Sequence, residues 1–158
     1  MVLYLAIFFV IIALDQVSKS LITVFFSVGQ GTEVIKGILD FTYVRNEGAA
    51  FGMLQGARWF FIIITVAAIA AAVFYIVKAK PSSKLERTAL AFISGGAIGN
   101  FIDRLCLSYV RDFISVQFID FPVFNIADCF VCIGAGLYIL YTLLDAFKPK
   151  SKEVKSDE

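Results

Sequence analysis

The sequence predicts a membrane-embedded, all-α fold of four transmembrane helices, with a small β element in the loops between them. Three observations carry that prediction. Hydrophobic residues make up 59% of the 158-residue chain, with a mean hydropathy of +0.84, against roughly 45–50% apolar residues in ordinary soluble domains. The apolar residues gather into four long runs. The cations gather between two of those runs and at the tail.

The same composition excludes much. Only 17% of residues are charged and the net charge is +1, too little to attract a polyanion. Disorder, nucleic-acid binding and a conventional soluble enzyme do not fit. There is no His, and the three Cys (Cys106, Cys129, Cys132) are an odd number. A His-based triad, a His metal site and a full disulfide framework are set aside.

A membrane helix needs about 20 mostly apolar residues to cross a hydrocarbon core of about 30 Å. The first span is expected at about 2–26, broken by Asp15, Gln16, Ser18 and Lys19. No cation precedes it, and Asp15 and Lys19 sit where a cleavage site would need small residues, so it reads as a retained helix. The second, about 59–77, has Thr65 as its only polar side chain. The third, about 88–104, is short and rich in small residues. The fourth, about 126–146, carries Asp128 near its start.

Cationic loops set orientation. The second and third spans are linked through Lys78, Lys80, Lys84 and Arg87, and the tail at about 147–158 holds Lys148, Lys150, Lys152 and Lys155. Both termini are therefore expected in the cytoplasm, with loops at about 27–58 and 104–125 facing outward. Val34 to Val44 is rich in β-branched and aromatic residues and reads as short strands at the membrane face. Tyr109 to Phe124 mixes Phe and Ile with Asp112 and Asp120, and reads as a loop packed onto the bilayer surface.

In lipid the polar side chains are the informative ones, because each ionisable group at the bilayer centre costs about 2.5–3.5 kcal/mol on insertion scales. Asp15, Lys19, Asp103, Arg104 and Asp128 all lie in or at the end of a span. Asp15 and Lys19 are four apart and share a helix face, as an ion pair would. Ser18 and Ser20 beside Lys19 suggest a Ser/Lys dyad, but adjacent helical residues point in different directions. Gly95 and Gly99 form a small-xxx-small step that permits close helix contact. Asn100 and Asp103 share a face, and Asn125 and Asp128 repeat that spacing at the start of the fourth span. Asp112 supplies a third carboxylate. Two carboxylates brought close share a proton, so one serves as general base and the other as general acid. Helix capping and interhelix hydrogen bonds explain the same residues without catalysis, and the residues alone leave both readings open. Cys129-x-x-Cys132 lies in an apolar helix with no second ligand pair, and reads as packing.

The motifs together are familiar. Asp15-Gln16-Val17-Ser18-Lys19, Arg45-Asn46-Glu47-Gly48-Ala49-Ala50-Phe51-Gly52, Gly95 through Arg104, Val110-Arg111-Asp112-Phe113-Ile114 and Phe121 through Asp128 occur in order over nearly the whole chain. In this it resembles the lipoprotein signal peptidases (signal peptidase II), a bacterial family of membrane aspartic peptidases. The resemblance implies four transmembrane helices, an extracytoplasmic β-cradle and a short surface helix, in one domain over 1–158. It implies cleavage of diacylglyceryl-modified prolipoproteins just before the lipidated Cys, with no cofactor and no metal. The implied partners are those substrates and membrane lipid, not nucleic acid, and the implied state is a monomer in the bacterial cytoplasmic (inner) membrane. The implied catalytic pair is Asp112 and Asp128, a choice over Asp103 that the residues alone do not make. Asp15, Lys19, Arg45, Asn46, Gly48, Asn100, Asp103, Arg104 and Asn125 are the implied supporting and substrate-binding residues. Two positions depart from the family pattern: Arg111 where Val is frequent, and Cys129 where Ser is common. Neither removes a catalytic group.

Overall fold

The computed structural model describes residues 2–48, 53–54 and 56–147. In chain order they form α1 (Val2–Phe25), β1 (Gly31–Ile35), β2 (Leu39–Asn46), α2 (Arg58–Ala79), α3 (Lys84–Leu107), β3 (Val110–Val116) and α4 (Ile126–Ala146). All four helices are long and apolar enough to cross a membrane. Their outer faces carry Phe9, Trp59, Ile63, Phe74 and Ile139, exposed where a soluble protein would place polar residues. The four apolar runs of the sequence are these helices.

Helix α3 differs most from its apolar run, extending beyond it at both ends. Hydropathy marks where a helix is greasy, not where it stops. The polar turn Lys84-Leu85-Glu86-Arg87 is helical, and Glu86 is buried there, accepting a short hydrogen bond from the Tyr75 hydroxyl of α2. α3 is also the central helix, packing against α1, α2 and α4. Its glycines make that possible. A Cβ added at Gly99 would meet Asp15 Oδ2 at 2.5 Å, and one at Gly96 would run into the Ala127 carbonyl of α4. Gly134 of α4 meets Ile93 of α3 in the same way.

The three strands form one antiparallel sheet in the order β1-β2-β3. β1 and β2 make a hairpin that turns at Gly37, whose φ of +67° suits glycine. The strands expected between Val34 and Val44 are this hairpin. β3 is a difference from expectation. Its polar Arg111 and Asp112 mask the β-branched pattern of Val110, Ile114 and Val116, so the segment reads as loop until a partner strand is present. Ile22 of α1, Tyr43 of β2 and Phe113 of β3 form the buried core that seats the sheet on the bundle, with Phe26, Phe41, Ile114 and Ile126 packed around it. Among the described residues the two loop regions that carry the sheet hold no helix, and Ala49, Ala50, Phe51 and Gly52 lie outside those residues. The Lys-rich tail from Lys148 onward also lies outside them.

Candidate active site

The site is built where α1, α3 and α4 meet the sheet. Its deepest layer is an ion pair. Asp15 and Lys19 are completely buried, with Nζ 2.8 Å from Asp15 Oδ2. The other oxygen, Asp15 Oδ1, accepts from the Ala127 backbone N–H at 3.0 Å. One carboxylate thus joins α1 to the first turn of α4, in the space that Gly99 leaves open. Lys19 Nζ also lies 3.8 Å from Asp103 Oδ2, so the ammonium sits between two carboxylates.

Asp103 is held from a second side. Arg111 donates to it through Nε at 3.0 Å, Nη2 at 2.7 Å and its backbone N–H at 2.9 Å. This two-pronged grip is the strong form of an Arg–carboxylate contact, and Asp103 raises the Arg111 pKa further above its ordinary value. Gln16 completes the group: its Nε2 donates to Asp103 Oδ1 and Gly99 O, and its Oε1 accepts from Arg111 Nη2 at 3.0 Å. Arg111 therefore pairs with Asp103. Successive residues of a strand point to opposite faces, so the cation does not offset the charge of Asp112.

Asn100 carries the next layer. Lys19 Nζ donates to its Oδ1 at 2.8 Å, and its Nδ2 donates to Asp128 Oδ1 at 2.7 Å. Asn125 is the N-cap of α4. Its side chain accepts from the Asp128 backbone N–H, and Asp128 Oδ2 accepts from the Asn125 backbone N–H, a complete capping box. That cap leaves the Asn125 Nδ2 free to donate elsewhere, and it reaches Asp112 Oδ1 at 2.6 Å. The second oxygen of Asp112 accepts from Asn46 Nδ2 at 2.8 Å, diagonally across β2 and β3. Asn46 Oδ1 in turn accepts from Gly48 N–H at 3.0 Å, and the Gly48 carbonyl accepts from Arg104 Nη2 at 3.2 Å.

Asn125 thus links Asp112 and Asp128, and each carboxylate has both oxygens hydrogen-bonded. Asp112 is buried and within electrostatic reach of Asp128. Burial first, and the Asp128 charge second, push its pKa up to about 7, against the Asn46 and Asn125 amides and the Lys19 charge. The guanidinium of Arg104 lies over the Phe61 ring at 4.8 Å, and both carboxylates lie within its field. A pair of acids that share a proton beside ordered amides can activate water and protonate a carbonyl oxygen.

Of the residues singled out from sequence, Asp15, Lys19, Asn46, Gly48, Asn100, Asp103, Arg104, Asp112, Asn125 and Asp128 converge here. Arg45 does not. Its guanidinium stacks over Tyr109 at 4.8 Å and reaches the Tyr43 hydroxyl at 3.5 Å, away from both carboxylates. Ala49, Ala50, Phe51 and Gly52 of the same motif lie outside the described residues. Gln16 was missed as a site residue, although a Gln inside an apolar run is the same signal that marked Asp15. Cys106, Cys129 and Cys132 are free thiols.

A family model described as signal peptidase (SPase) II matches residues 7–144. The chain belongs to the signal peptidase II family. Among curated relatives, the lipoprotein signal peptidase of Lactobacillus gasseri is 43% identical over 142 residues, 90% of this chain and 92% of that protein. That of Lactobacillus johnsonii is 41% identical over 141 residues, 89% of this chain and 92% of that one. A solved structure described as a bacterial membrane enzyme superposes with a TM-score of 0.91 at 38% identity, covering 98% of this chain and 96% of that one. A second, described in the same words, gives 0.85 at 37% identity, with 92% and 95% covered. A signal peptidase II of this family is a multi-pass membrane peptidase, and the four apolar helices and small sheet agree with that.

Proposed function

We propose that this chain is an aspartic endopeptidase that removes signal peptides from diacylglyceryl-modified prolipoproteins, cutting just before the lipidated Cys. Asp112 and Asp128 are the catalytic pair. The observation that carries the reading is their link through Asn125: two carboxylates from different elements, both bonded to that one residue, with the Asp112 pKa near 7.

The chemistry follows from that placement. In the reacting form the pair holds one proton, on Asp112. Water between the acids gives its proton to Asp128 and attacks the scissile carbonyl carbon. Asp112 gives its proton to the carbonyl oxygen. The tetrahedral species then collapses: Asp112 recovers a proton from a hydroxyl as the C–N bond breaks, and Asp128 protonates the leaving amine of the Cys. Asn46, Asn100 and Asn125 keep the two carboxylates at fixed angles through the cycle. Lys19 and Arg104 limit the accumulated negative charge. The substrate's signal helix enters from the bilayer with its diacylglycerol in lipid, and the two sheet-bearing loops close over the modified Cys. Cationic residues at the other end of the bundle support cytoplasmic termini and a site toward the outer face.

A gel-shift cleavage assay in detergent tests the reading. Wild-type protein should cut a diacylglyceryl-modified prolipoprotein and leave the unlipidated one intact. Asp112→Asn and Asp128→Asn should each fold and cut neither. Near-full activity in either variant would overturn the dyad. Equal cleavage of the unlipidated substrate would overturn the lipid requirement.

A further inference from the structure

We propose that the cleft between α1, α2 and α3, at the end of the bundle opposite the sheet, seats one acyl chain of an anionic phospholipid, with its phosphate held by Lys80 and Arg87. The inference goes beyond the peptidase reading and depends on neither its chemistry nor its orientation.

The cleft exists because α1 and α2 each pack on α3 but scarcely on one another. It measures about 660 Å³ and is walled by apolar side chains such as Phe8, Val73, Val77 and Leu90. Two cations stand among its lining residues, at its mouth. Lys80 caps α2 in the left-handed conformation, with φ of 47°. Arg87 is strapped across the opening: its Nε donates to the Pro81 carbonyl at 2.6 Å and its guanidinium lies 5.7 Å over the Tyr4 ring. Among the described residues, no carboxylate lies within ion-pair distance of Lys80 or Arg87. Glu86, next in sequence, turns away to Tyr75.

Length and charge together select the occupant. The cleft reaches from Arg87 to Ile98 along α3, eleven residues or about 16 Å at the helical rise. That is half of the roughly 30 Å hydrocarbon core, the depth of one leaflet. Alongside it α1 and α3 are in contact, where Gly95 packs on Ile11. The apolar run of a signal helix, about 7–15 residues, matches that length, but it brings cations at its own N-terminal end and so does not fit the charge. A lipid with a phosphate-bearing, net-negative headgroup fits both, as do basic pockets between membrane helices in general.

The test is thermal unfolding of the purified protein in detergent with added phosphatidylglycerol, phosphatidylcholine or soluble glycerol phosphate. Phosphatidylglycerol should raise Tm by about 5 °C, clearly more than phosphatidylcholine, while glycerol phosphate does nothing. The Lys80→Gln/Arg87→Gln double variant should lose that preference. So should Ala72→Trp, which fills the cleft and leaves both cations in place. Both should still cut prolipoprotein. Equal shifts with the two lipids, or a preference that survives in a folded double variant or in Ala72→Trp, would overturn the proposal. A full shift with glycerol phosphate would mark a free-phosphate site instead. Loss of cleavage in Ala72→Trp with the lipid preference kept would assign the cleft to the substrate helix. If the double variant does not fold, Ala72→Trp decides alone.

Discussion

The Lys19 ammonium donates to Asn100 Oδ1 at 2.8 Å, and with Asn125 Nδ2, which donates to the same oxygen at 3.1 Å, it decides which way the Asn100 amide faces. An ammonium can only donate. The carbonyl end of Asn100 must therefore face Lys19, and the NH2 end is left to donate to Asp128. A buried cation on α1 thereby sets the hydrogen bonding of a carboxylate it does not touch.

Asn100→Asp replaces that donor with an oxygen facing Asp128. Cleavage should fall by about 10³-fold, in the range that general acid–base groups contribute, with the fold retained because Lys19 pairs with the new carboxylate. Single-turnover rates beside a thermal melt check this. A rate within threefold of wild type would remove Asn100 from the positioning role.

Asp112 predicts a pH dependence of stability. Its pKa is about 7 in the folded protein and about 3.9 when unfolded. Between those values the folded state holds a proton that the unfolded state has released, so stability falls as pH rises from about 4 to 7 and then levels. Between pH 5 and pH 8 the loss is roughly 3 kcal/mol if Asp112 acts alone. Asp112→Asn should flatten that slope while abolishing cleavage. Unfolding in denaturant at the two pH values measures it, and an unchanged slope in the variant would refute the assignment.

Much of this site is legible in the sequence, and the exceptions have physical causes. Asp15, Lys19, Asn100 and Asp128 announce themselves because lipid penalises polar groups wherever they occur in a span. The four-residue and three-residue spacings then say which of them share a helix face. Asp112 does not announce itself, since it lies in a loop region where charge is ordinary. Its importance comes from β3 pairing with β2 next to Asn46, a long-range contact that no local pattern encodes. The resemblance to a family selected it over Asp103. Arg111 is adjacent to Asp112 in sequence, but strand alternation sends it to Asp103. Arg45 shares a motif with Asn46, and the same alternation turns it toward Tyr109.

Arg111 should be essential for folding rather than for chemistry. Arg111→Met leaves Asp103 buried with Lys19, at 3.8 Å, as its remaining cation, and removing one partner of a buried pair costs about 3–5 kcal/mol. Arg111→Lys keeps the charge but loses the two-pronged geometry and should recover only part of that. Denaturant midpoints of the three proteins rank them. Equal midpoints for Met and wild type would show the contact to be dispensable.

Gly99→Ala tests the close approach of α1 and α3. The added Cβ would sit 2.5 Å from Asp15 Oδ2, so the carboxylate must move off the Ala127 N–H. Overpacking of this kind costs about 1–3 kcal/mol, and cleavage should fall with it because α4 loses its anchor beside Asp128. Gly136→Ala, where a Cβ meets nothing within 4 Å, is the control. Equal effects at the two positions would sink the steric explanation.

The bond from the Ala127 backbone to Asp15 spans 112 positions of chain, and that separation has a consequence in biosynthesis. Asp15 leaves the ribosome before α2, α3 or β3 exists, already matched by Lys19 and close to neutral in the bilayer. Asp112 follows much later, and Asp128 last. A chain that stops short of α4 lacks Asp128, so under the proposed mechanism proteolytic capacity arises only when the final helix docks. On that reading the order of the residues alone keeps the nascent chain inert among other unfinished membrane proteins.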